Sequence, residues 1–483
     1  MDPDRLERAR EGASGFFARG VKLGKLAPEL AGAALARLRF THRVEELCDS
    51  QLVIEAIFEN FDAKAALLRK LDAITPPSAI LSSNTSTLSI TRLAAASGRP
   101  DRFIGLHFCL PAQLMRLVEI TPGLMTSDDT LARAQEFCAS AGQIGIRTQD
   151  TPGFILNYFA IPLNNDAIRL MESGVATAQA IDRAVCTGMG YSMGPLQLVD
   201  LVGLDTQERL CAKRSIKSRR ILVTPAPLSC ARWLPQDSWE SASEKGSTST
   251  RTRPCLERSA MQFKLIDTGG SRSFPAEDIV YSLAACAAPV LLIVGRDAGR
   301  MFRSLDPMEA KAARAVLIER GTEYLGVHSE EAAAGETSRV FGFARFRLGF
   351  SAPSPLVELV CPPLADPTAL ELAQAVFERL GLMVACCSDT AGRILDRLMR
   401  PYFNSALHRL DDGLATPAVL DRALKLGLGY PRGPIELLND SGLEHHHDIC
   451  SALCEMLADP GFRPARRAQI AAARRNAAAK ESS

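Results

Sequence analysis

The sequence predicts an α/β chain built twice over: a parallel-sheet segment followed by an all-helical segment, then a second pair of the same kind. Three observations lead there. A 54-residue stretch recurs without a gap 239 residues further on. Ahead of each copy, short β-branched runs alternate with helical patterns, as parallel βαβ units do. The 483 residues leave room for several domains of roughly 100 to 200 residues each.

The repeat matches "TPGFILNYFAIPLNNDAIRLMESGVATAQAIDRAVCTGMGYSMGPLQLVDLVGL" from Thr151 with "TAGRILDRLMRPYFNSALHRLDDGLATPAVLDRALKLGLGYPRGPIELLNDSGL" from Thr390, and about 20 of the 54 positions are identical. Each copy reads as an apolar helix after a Thr-x-Gly start and a second helix opened by Ala-Thr (Ala176-Thr177, Ala415-Thr416). A Gly-Pro elbow follows (Gly194-Pro195, Gly433-Pro434). The threonines offer N-cap oxygens and the glycines permit tight turns.

In the first sheet segment "QLVIEAIFE" at Gln51, "AILSSNTS" at Ala79 and "RFIGLHF" at Arg102 read as strands, separated by the helical patterns "NFDAKAALLRKLDAI" and "SITRLAAAS". In the second, "APVLLIVG" at Ala288, "EYLGVHS" at Glu323 and "SPLVELV" at Ser354 read as strands. The stretch "GLHFCLPAQLMRLVEI" from Gly105 reads as strand, turn and strand; its apolar background is interrupted by His107 and, twelve residues later, by Glu119.

Charged residues are 23% of the chain, hydrophobic ones 47%, and the formal net charge is +1. Bulk charge therefore recruits neither nucleic acid nor an anionic membrane. No apolar run approaches the roughly 18 residues that span a bilayer, and "MDPDRLERAREG" lacks the apolar centre of a signal peptide, so a cytoplasmic protein is expected. Thirteen cysteines are scattered without metal-ligand spacing, Cys386-Cys387 and Cys450/Cys454 included, which predicts reduced thiols and no metal. The run His445-His446-His447 is expected to be a solvated helix start.

The motifs "VIEAIFEN", "SSNTSTLSIT", "RFIGLHF", "LVEI", "DTPGFILN" and "GYSMGPLQLVDLVGLDT" occur in this order and spacing. Together they resemble the 3-hydroxyacyl-CoA dehydrogenase family over Asp2 to Thr206, and the repeat extends the resemblance to the end. The doubled helical domain is similar to the 3-hydroxybutyryl-CoA dehydrogenase branch of bacterial phenylacetate and fatty-acid catabolism.

The resemblance implies an incomplete Rossmann-like NAD-binding domain (1–150), a helical C-terminal-type domain (151–206), an irregular junction (207–280), a degenerate Rossmann-like segment (281–389) and a second helical domain (390–483). It also implies oxidation of the 3-hydroxyl of an acyl-CoA with NAD, and a homodimer formed through the helical domains. His107 is then the base, a role that suits an imidazole whose ordinary pKa of about 6.5 lies near working pH, and Glu119 fixes its tautomer. Ser86 and Asn157 fall where the family binds substrate oxygens; the spacings are 21 residues from Ser86 to His107, 12 to Glu119 and 38 to Asn157. Glu59, Lys64 and Asn84 match positions near the ribose and nicotinamide of NAD. Lys22 and Lys25 resemble the basic hairpin that meets the phosphates of CoA.

The sequence also departs from the family. It opens at the helix that follows the family's second strand, so the glycine fingerprint for the pyrophosphate is missing and an exposed sheet edge is expected; "GGSRS" at Gly269 and "VGRDAG" at Val294 do not complete that fingerprint. Leu110 stands where the family has Asn, and Tyr158 where it has Arg. The basic, Ser-rich stretch after Thr206 has no helical period. The codons open to "RWLPQDSWESASEKGST" would also permit "MVAAGLLGVGVGKGFY" one frame over, close to the family's tail, so Gln207 to Thr250 is expected to be out of frame. In the second copy Glu358 aligns with Glu119 and Asp396 with Asn157, but no histidine takes the place of His107, which predicts a structural role. A non-catalytic acyl-CoA-binding or scaffold protein is the alternative reading of the whole chain.

Overall fold

The computed structural model describes residues 3–112, 115–204, 207, 263–274, 290–329, 336–349 and 351–481. They fall into two compact units, 1–112 with 118–151, and 113–117 with 152–483. The out-of-frame stretch expected from Gln207 to Thr250 lies outside the described residues except for Gln207. That side chain is buried and donates from Nε2 to Asn165 Oδ1 (2.8 Å) and to the Ile161 carbonyl (3.2 Å).

The first unit begins with a helical hairpin, α1 (Pro3–Lys22) and α2 (Pro28–Ala36). It continues as β1 (Leu52–Glu55), α3 (Phe61–Ile74), β2 (Ile80–Ser83), α4 (Ile90–Ala96), β3 (Phe103–Phe108), β4 (Leu117–Pro122), α5 (Asp128–Ser140) and β5 (Ile144–Arg147). The helices start where polar caps allow: the side chains of Asn60, Ser89 and Ser127 accept the N–H groups of Ala63, Arg92 and Thr130. The strands form one sheet in the order β1-β2-β3-β4-β5. β1, β2 and β3 run parallel and β4 returns antiparallel to β3. Ile80, Ile104, Leu106, Val118 and Ile120 pack with Ala134 and Cys138 of α5 on one face. On the other face α4 lies so close to β3 that a Cβ at Gly105 would stand 2.7 Å from Ile90. β1 and β5 are the edge strands of the described sheet, and Leu52, Val53 and Ile54 of β1 are only half-buried.

The second unit holds the first helical copy, α6 (Leu156–Glu172), α7 (Ala178–Met189) and α8 (Pro195–Val202), and then a second α/β segment. That segment comprises β6 (Phe263–Asp267), β7 (Val290–Val294), α9 (Ala298–Ser304), α10 (Pro307–Ala312), β8 (Ala315–Glu319), β9 (Val340–Arg345), β10 (Leu356–Cys361), α11 (Pro367–Arg379) and β11 (Met383–Ser388). The second helical copy follows as α12 (Leu395–Asp411), α13 (Pro417–Leu428), α14 (Pro434–Ser441), α15 (Leu443–Leu457) and α16 (Arg466–Glu481). The sheet order is β11-β10-β9-β8-β7-β6. As in the first unit, a single described antiparallel pairing, here β9 with β10, interrupts a parallel sheet.

Three expectations need correction. The segment 207–280, expected to be irregular, contains β6, because Phe263 and Leu265 alternate onto the core beneath the sheet. "EYLGVHS" is not a strand but a turn around the short 3-10 helix Leu325–Val327; the Asp389 carboxylate takes the N–H groups of Leu325 (2.5 Å) and Gly326 (2.8 Å). The triple histidine does open a helix, α15, yet His446 is fully buried, with Nε2 3.0 Å from Asn404 Oδ1.

The two helical copies are built alike. Thr177 and Thr416 cap α7 and α13, and Gly190 and Gly429 end them in the left-handed region, at φ 71 and 68. The Asp182 carboxylate accepts the N–H groups of Leu196 (2.9 Å) and Gln197 (3.1 Å) at the start of α8. Asp421 does the same for Ile435 and Glu436 of α14, both at 2.9 Å. A Cβ at Gly194 or Gly433 would fall 2.2 Å from the capping aspartate, so each Gly-Pro elbow needs its glycine. The copies meet through α6 and α12. Tyr191 and its repeat counterpart Tyr430 stack at 3.6 Å with a 10° interplanar angle, and Phe159 sits edge-on to Tyr402 at 5.4 Å. Both stacked tyrosines are buried. Tyr430→Ala should therefore destabilise the second unit by roughly 3–5 kcal/mol, the range for emptying a buried aromatic site, and thermal denaturation of the variant against the parent chain measures it.

Candidate active site

The antiparallel register of β3 and β4 places His107 directly opposite Glu119. Side chains at such paired positions leave the same face of the sheet, and here His107 Nδ1 lies 2.7 Å from Glu119 Oε2. Glu119 is wholly buried, whereas the imidazole keeps 13% of its surface exposed. Twelve residues of sequence separation thus become one charge-assisted contact. Beside it, burial and then the Glu119 carboxylate push the Cys109 thiol up to about 12, so it stands by the pair as a neutral thiol. Leu110, where the family has a polar residue, is 81% exposed.

The loop after β2 is fastened to the same edge of the sheet. Asn84 Oδ1 accepts the Phe108 N–H (2.8 Å), tying the loop to the end of β3 next to His107. Glu59 holds the loop from the other side. Its Oε1 accepts the hydroxyls of Thr85 (2.5 Å) and Thr87 (2.8 Å) and the N–H groups of Ser86 (3.2 Å) and Thr87 (3.1 Å). Helix α4 is capped by Ser89 and by Asp150, which takes the N–H groups of Ile90 and Thr91 at 2.8 Å each. Ser86 has no capping duty.

Lys64 lies beneath this loop, on the same side as Glu59. Its side chain is 1% exposed, and its ammonium sits 2.5 Å from Glu55 Oε1, 2.9 Å from the Ile57 carbonyl and 3.5 Å from Glu59 Oε2. Glu55 in turn accepts the Ser83 hydroxyl (2.6 Å). This buried Glu55–Lys64–Ser83 network was not singled out in the sequence, although Glu and Lys at the end of a strand and in the following helix are its signal. Lys22 and Lys25 stand exposed at the end of α1 and in the turn after it. Asn157 belongs to the second unit, as the second residue of α6, and is half-buried.

In the second unit Glu358 is fully buried and accepts the N–H groups of Ile394 (2.9 Å) and Leu395 (2.8 Å) and Arg393 Nε (3.1 Å). The residue opposite it on β9 is Ala344. Where the first sheet presents an imidazole, the second presents a methyl group.

Residues 1–151 match the family model described as 3-hydroxyacyl-CoA dehydrogenase, NAD binding domain. Residues 153–227 and 392–482 match that described as 3-hydroxyacyl-CoA dehydrogenase, C-terminal domain. The 3-hydroxyadipyl-CoA dehydrogenase of Escherichia coli K12 is 30% identical over 438 residues, covering 90% of this chain and 83% of that relative. The chain belongs to the 3-hydroxyacyl-CoA dehydrogenase family. The 3-hydroxybutyryl-CoA dehydrogenase of Bradyrhizobium diazoefficiens is 41% identical over 206 residues, 43% of this chain and 70% of the relative. The crystal structure of 3-hydroxybutyryl-CoA dehydrogenase from Escherichia coli K12 superposes with a TM-score of 0.70 at 25% identity, over 98% of this chain and 93% of that one. As a 3-hydroxyacyl-CoA dehydrogenase the chain is an NAD-dependent oxidoreductase with a Rossmann-like α/β fold and helical C-terminal parts.

The described residues meet NAD at the strand ends of the first unit. Open α/β sheets bind ligands outside the carboxyl ends of their strands, and Glu59, Asn84 and Ser86 line that edge. A Gly-x-Gly-x-x-Gly turn leading into a helix, which would meet the pyrophosphate, is not among the described residues of the first unit.

Glu59 supplies a test of the loop that carries Ser86. Burial alone would raise its pKa, but the Thr85 and Thr87 hydroxyls, Lys64 and the Thr87 N–H outweigh it, and the carboxyl lies below its ordinary value of 4.5. A depressed folded-state pKa means the carboxylate stabilises the fold above that ordinary value and loses its contribution as pH falls through the folded value. Glu59→Gln should cost about 1–2 kcal/mol at neutral pH. It should also shrink the stability lost on acidification below pH 4.5, as followed by thermal melts across that range.

Proposed function

We propose that His107 is the base in oxidation of the 3-hydroxyl of an acyl-CoA, with Glu119 as its orienting partner. The observation that carries this reading is the 2.7 Å contact between His107 Nδ1 and a fully buried carboxylate. A carboxylate on Nδ1 makes that nitrogen the N–H donor of the neutral ring. Nε2 is then the atom that takes the hydroxyl proton, and Glu119 stabilises the imidazolium so formed. As the O–H bond breaks, its electrons form the C3 carbonyl and C3 loses hydride; NAD, when bound, is the hydride acceptor.

In this reading Ser86 and Asn157 bind the substrate oxygens, Glu59 and Asn84 line the cofactor side, and Lys22 and Lys25 meet the CoA phosphates. Lys64 belongs to the same cofactor side, and its ion pairs with Glu55 and Glu59 fix it there. The reading also includes a cytoplasmic protein of fatty-acid or phenylacetate breakdown, with acyl-CoA as its partner. Among the described residues no helix is long and apolar enough to cross a membrane. A homodimer must use faces other than the Tyr191–Tyr430 contact, which is consumed within the chain.

Reduction of acetoacetyl-CoA by NADH tests the proposal. His107→Ala should lower the rate about 10²- to 10⁴-fold, the usual effect of removing a general base, with thioester binding retained. Glu119→Gln should lower kcat more than it changes KM, because the tautomer is no longer fixed. Absence of turnover in the parent chain and in His107→Ala alike, with CoA-thioester binding intact in both, would overturn the catalytic assignment and favour a non-catalytic acyl-CoA-binding protein.

A further inference from the structure

The second copy has lost the histidine of the reaction but not its contact with the first copy. In its cleft, lined by Arg320, Ala344, Arg393 and Asp396 among others, Ala344 stands opposite Glu358 where His107 stands opposite Glu119. Its helices are nevertheless seated against the first copy by a contact that is made twice.

The second helix of each copy carries a glycine in its last turn, Gly188 in α7 and Gly427 in α13. Neither takes a left-handed conformation. Glycine inside a helix is costly relative to alanine, so each has a packing reason to be there. That reason is close approach. A Cβ at Gly188 would stand 2.3 Å from Leu395 Cδ1 and 3.3 Å from Leu356 Cδ2. A Cβ at Gly427 would stand 2.5 and 2.6 Å from the two Cδ atoms of Leu156 and 2.9 Å from Leu117 Cδ2. Gly427, Leu395 and Leu356 lie 239 residues beyond Gly188, Leu156 and Leu117. One contact is therefore repeated, each copy's glycine resting on the other copy's leucines, as across an isologous dimer interface. Backbone groups tie the same seating where α7 meets the second sheet. The Val384 carbonyl accepts from Arg183 Nη1 (2.9 Å), and the Val175 carbonyl accepts the Ser388 N–H (2.8 Å).

The leucines differ in what stands beside them. Leu356 lies two residues before Glu358 on β10, and Leu395 donates its N–H to Glu358 at 2.8 Å. Leu117 lies two residues before Glu119, on the same face of β4. Although it opens that strand, it clusters with the second unit, as Gly427 does. Leu156 directly precedes Asn157 at the start of α6. Leu117 and Leu156 are 0% and 5% exposed, so neither can yield to a new atom by swinging into water. Helix α13, from the copy without the histidine, thus bears on the neighbours of Glu119 and Asn157 in the copy that has it.

We propose that the second copy is the positioning element of the first copy's reaction: Gly427 lets α13 seat on Leu117 and Leu156, and so sets where β4 presents Glu119 and where α6 presents Asn157. This role rests on the assignment of His107, Glu119 and Asn157 to the reaction. Gly427 acts through the two leucines, and is a positioning residue rather than a catalytic one.

Two alanine substitutions in the full chain test it, because they insert one methyl group at the two halves of a repeated contact. Gly427→Ala should lower kcat for acetoacetyl-CoA reduction about 10- to 100-fold, as a displacement of about 1 Å can, with KM changed far less. Gly188→Ala, whose methyl group meets Leu395 and Leu356, should lower the melting temperature to a similar extent and leave kcat near that of the parent. Amide hydrogen exchange followed by mass spectrometry does not depend on turnover. Gly427→Ala should speed exchange in β4 and at the start of α6, and Gly188→Ala in β10 and at the start of α12. Adding Leu156→Ala to Gly427→Ala removes side-chain atoms that the new methyl group meets, and should restore folding and kcat towards the parent. Unchanged kcat or unchanged β4 exchange in Gly427→Ala, an equal loss of kcat in Gly188→Ala, or no recovery on adding Leu156→Ala overturns the proposal. A parent chain without turnover would fail the catalytic assignment, and the exchange pattern would still decide whether α13 sets β4.

Discussion

A carboxylate enclosed between two strands has to be paired, and this chain contains that problem twice. Glu119 and Glu358 are both fully buried, each on the strand that runs antiparallel to its neighbour. Removing a carboxylate from water is affordable only with a hydrogen-bonded or charged partner in place. In the first unit a partner is the imidazole across the register at 2.7 Å. In the second it is Arg393 with two backbone N–H groups, while burial still pushes the Glu358 carboxyl above its ordinary value. The partner chosen decides the chemistry. An imidazole transfers protons near neutral pH; a guanidinium does not, and it brings a fixed positive charge.

From that choice the difference between the two clefts follows. With His107 in place, the surrounding loop must present small polar groups at fixed positions, and Glu59 and Asn84 hold the Thr85-Ser86-Thr87 segment to do so. With Ala344 in its place there is no reacting atom to position. Arg320 and Arg345 can then occupy the space, each oriented by backbone carbonyls rather than by a substrate.

Much of this was legible in the sequence, for reasons that also mark where legibility stopped. The helical copies were readable because their caps and elbows are local: Thr177 and Thr416, Gly194 and Gly433 recur at one fixed offset and act within a few residues of where they stand. His107 and Glu119 were readable as a pair because a short turn joins their strands. The counterpart of His107 was not, since 14 residues separate Ala344 from Glu358 where 12 separate His107 from Glu119. A turn two residues longer breaks the fixed offset, and the sequence alignment points to Phe346 instead. The Glu55–Lys64 ion pair was hidden for a different reason: whether a lysine faces solvent or a buried Glu55 depends on how α3 lies against β1, which no local pattern encodes. His446 is similar, its burial depending on Asn404 of another helix.

The pattern of what the second copy kept argues that its helices and its cleft answer to different demands. Tyr430, Thr416, Asp421 and Gly433 repeat their first-copy counterparts and form the caps, the elbow and the stacked contact with Tyr191. Losing Tyr430 would uncover Tyr191 of the first copy as well, so the cost would fall on both copies. The residues that changed, Ala344, Arg320, Arg393 and Asp396, lie at the strand ends and at the start of α12, where they line the cleft. A duplicated half that is held in place by packing can lose its reaction while keeping its fold.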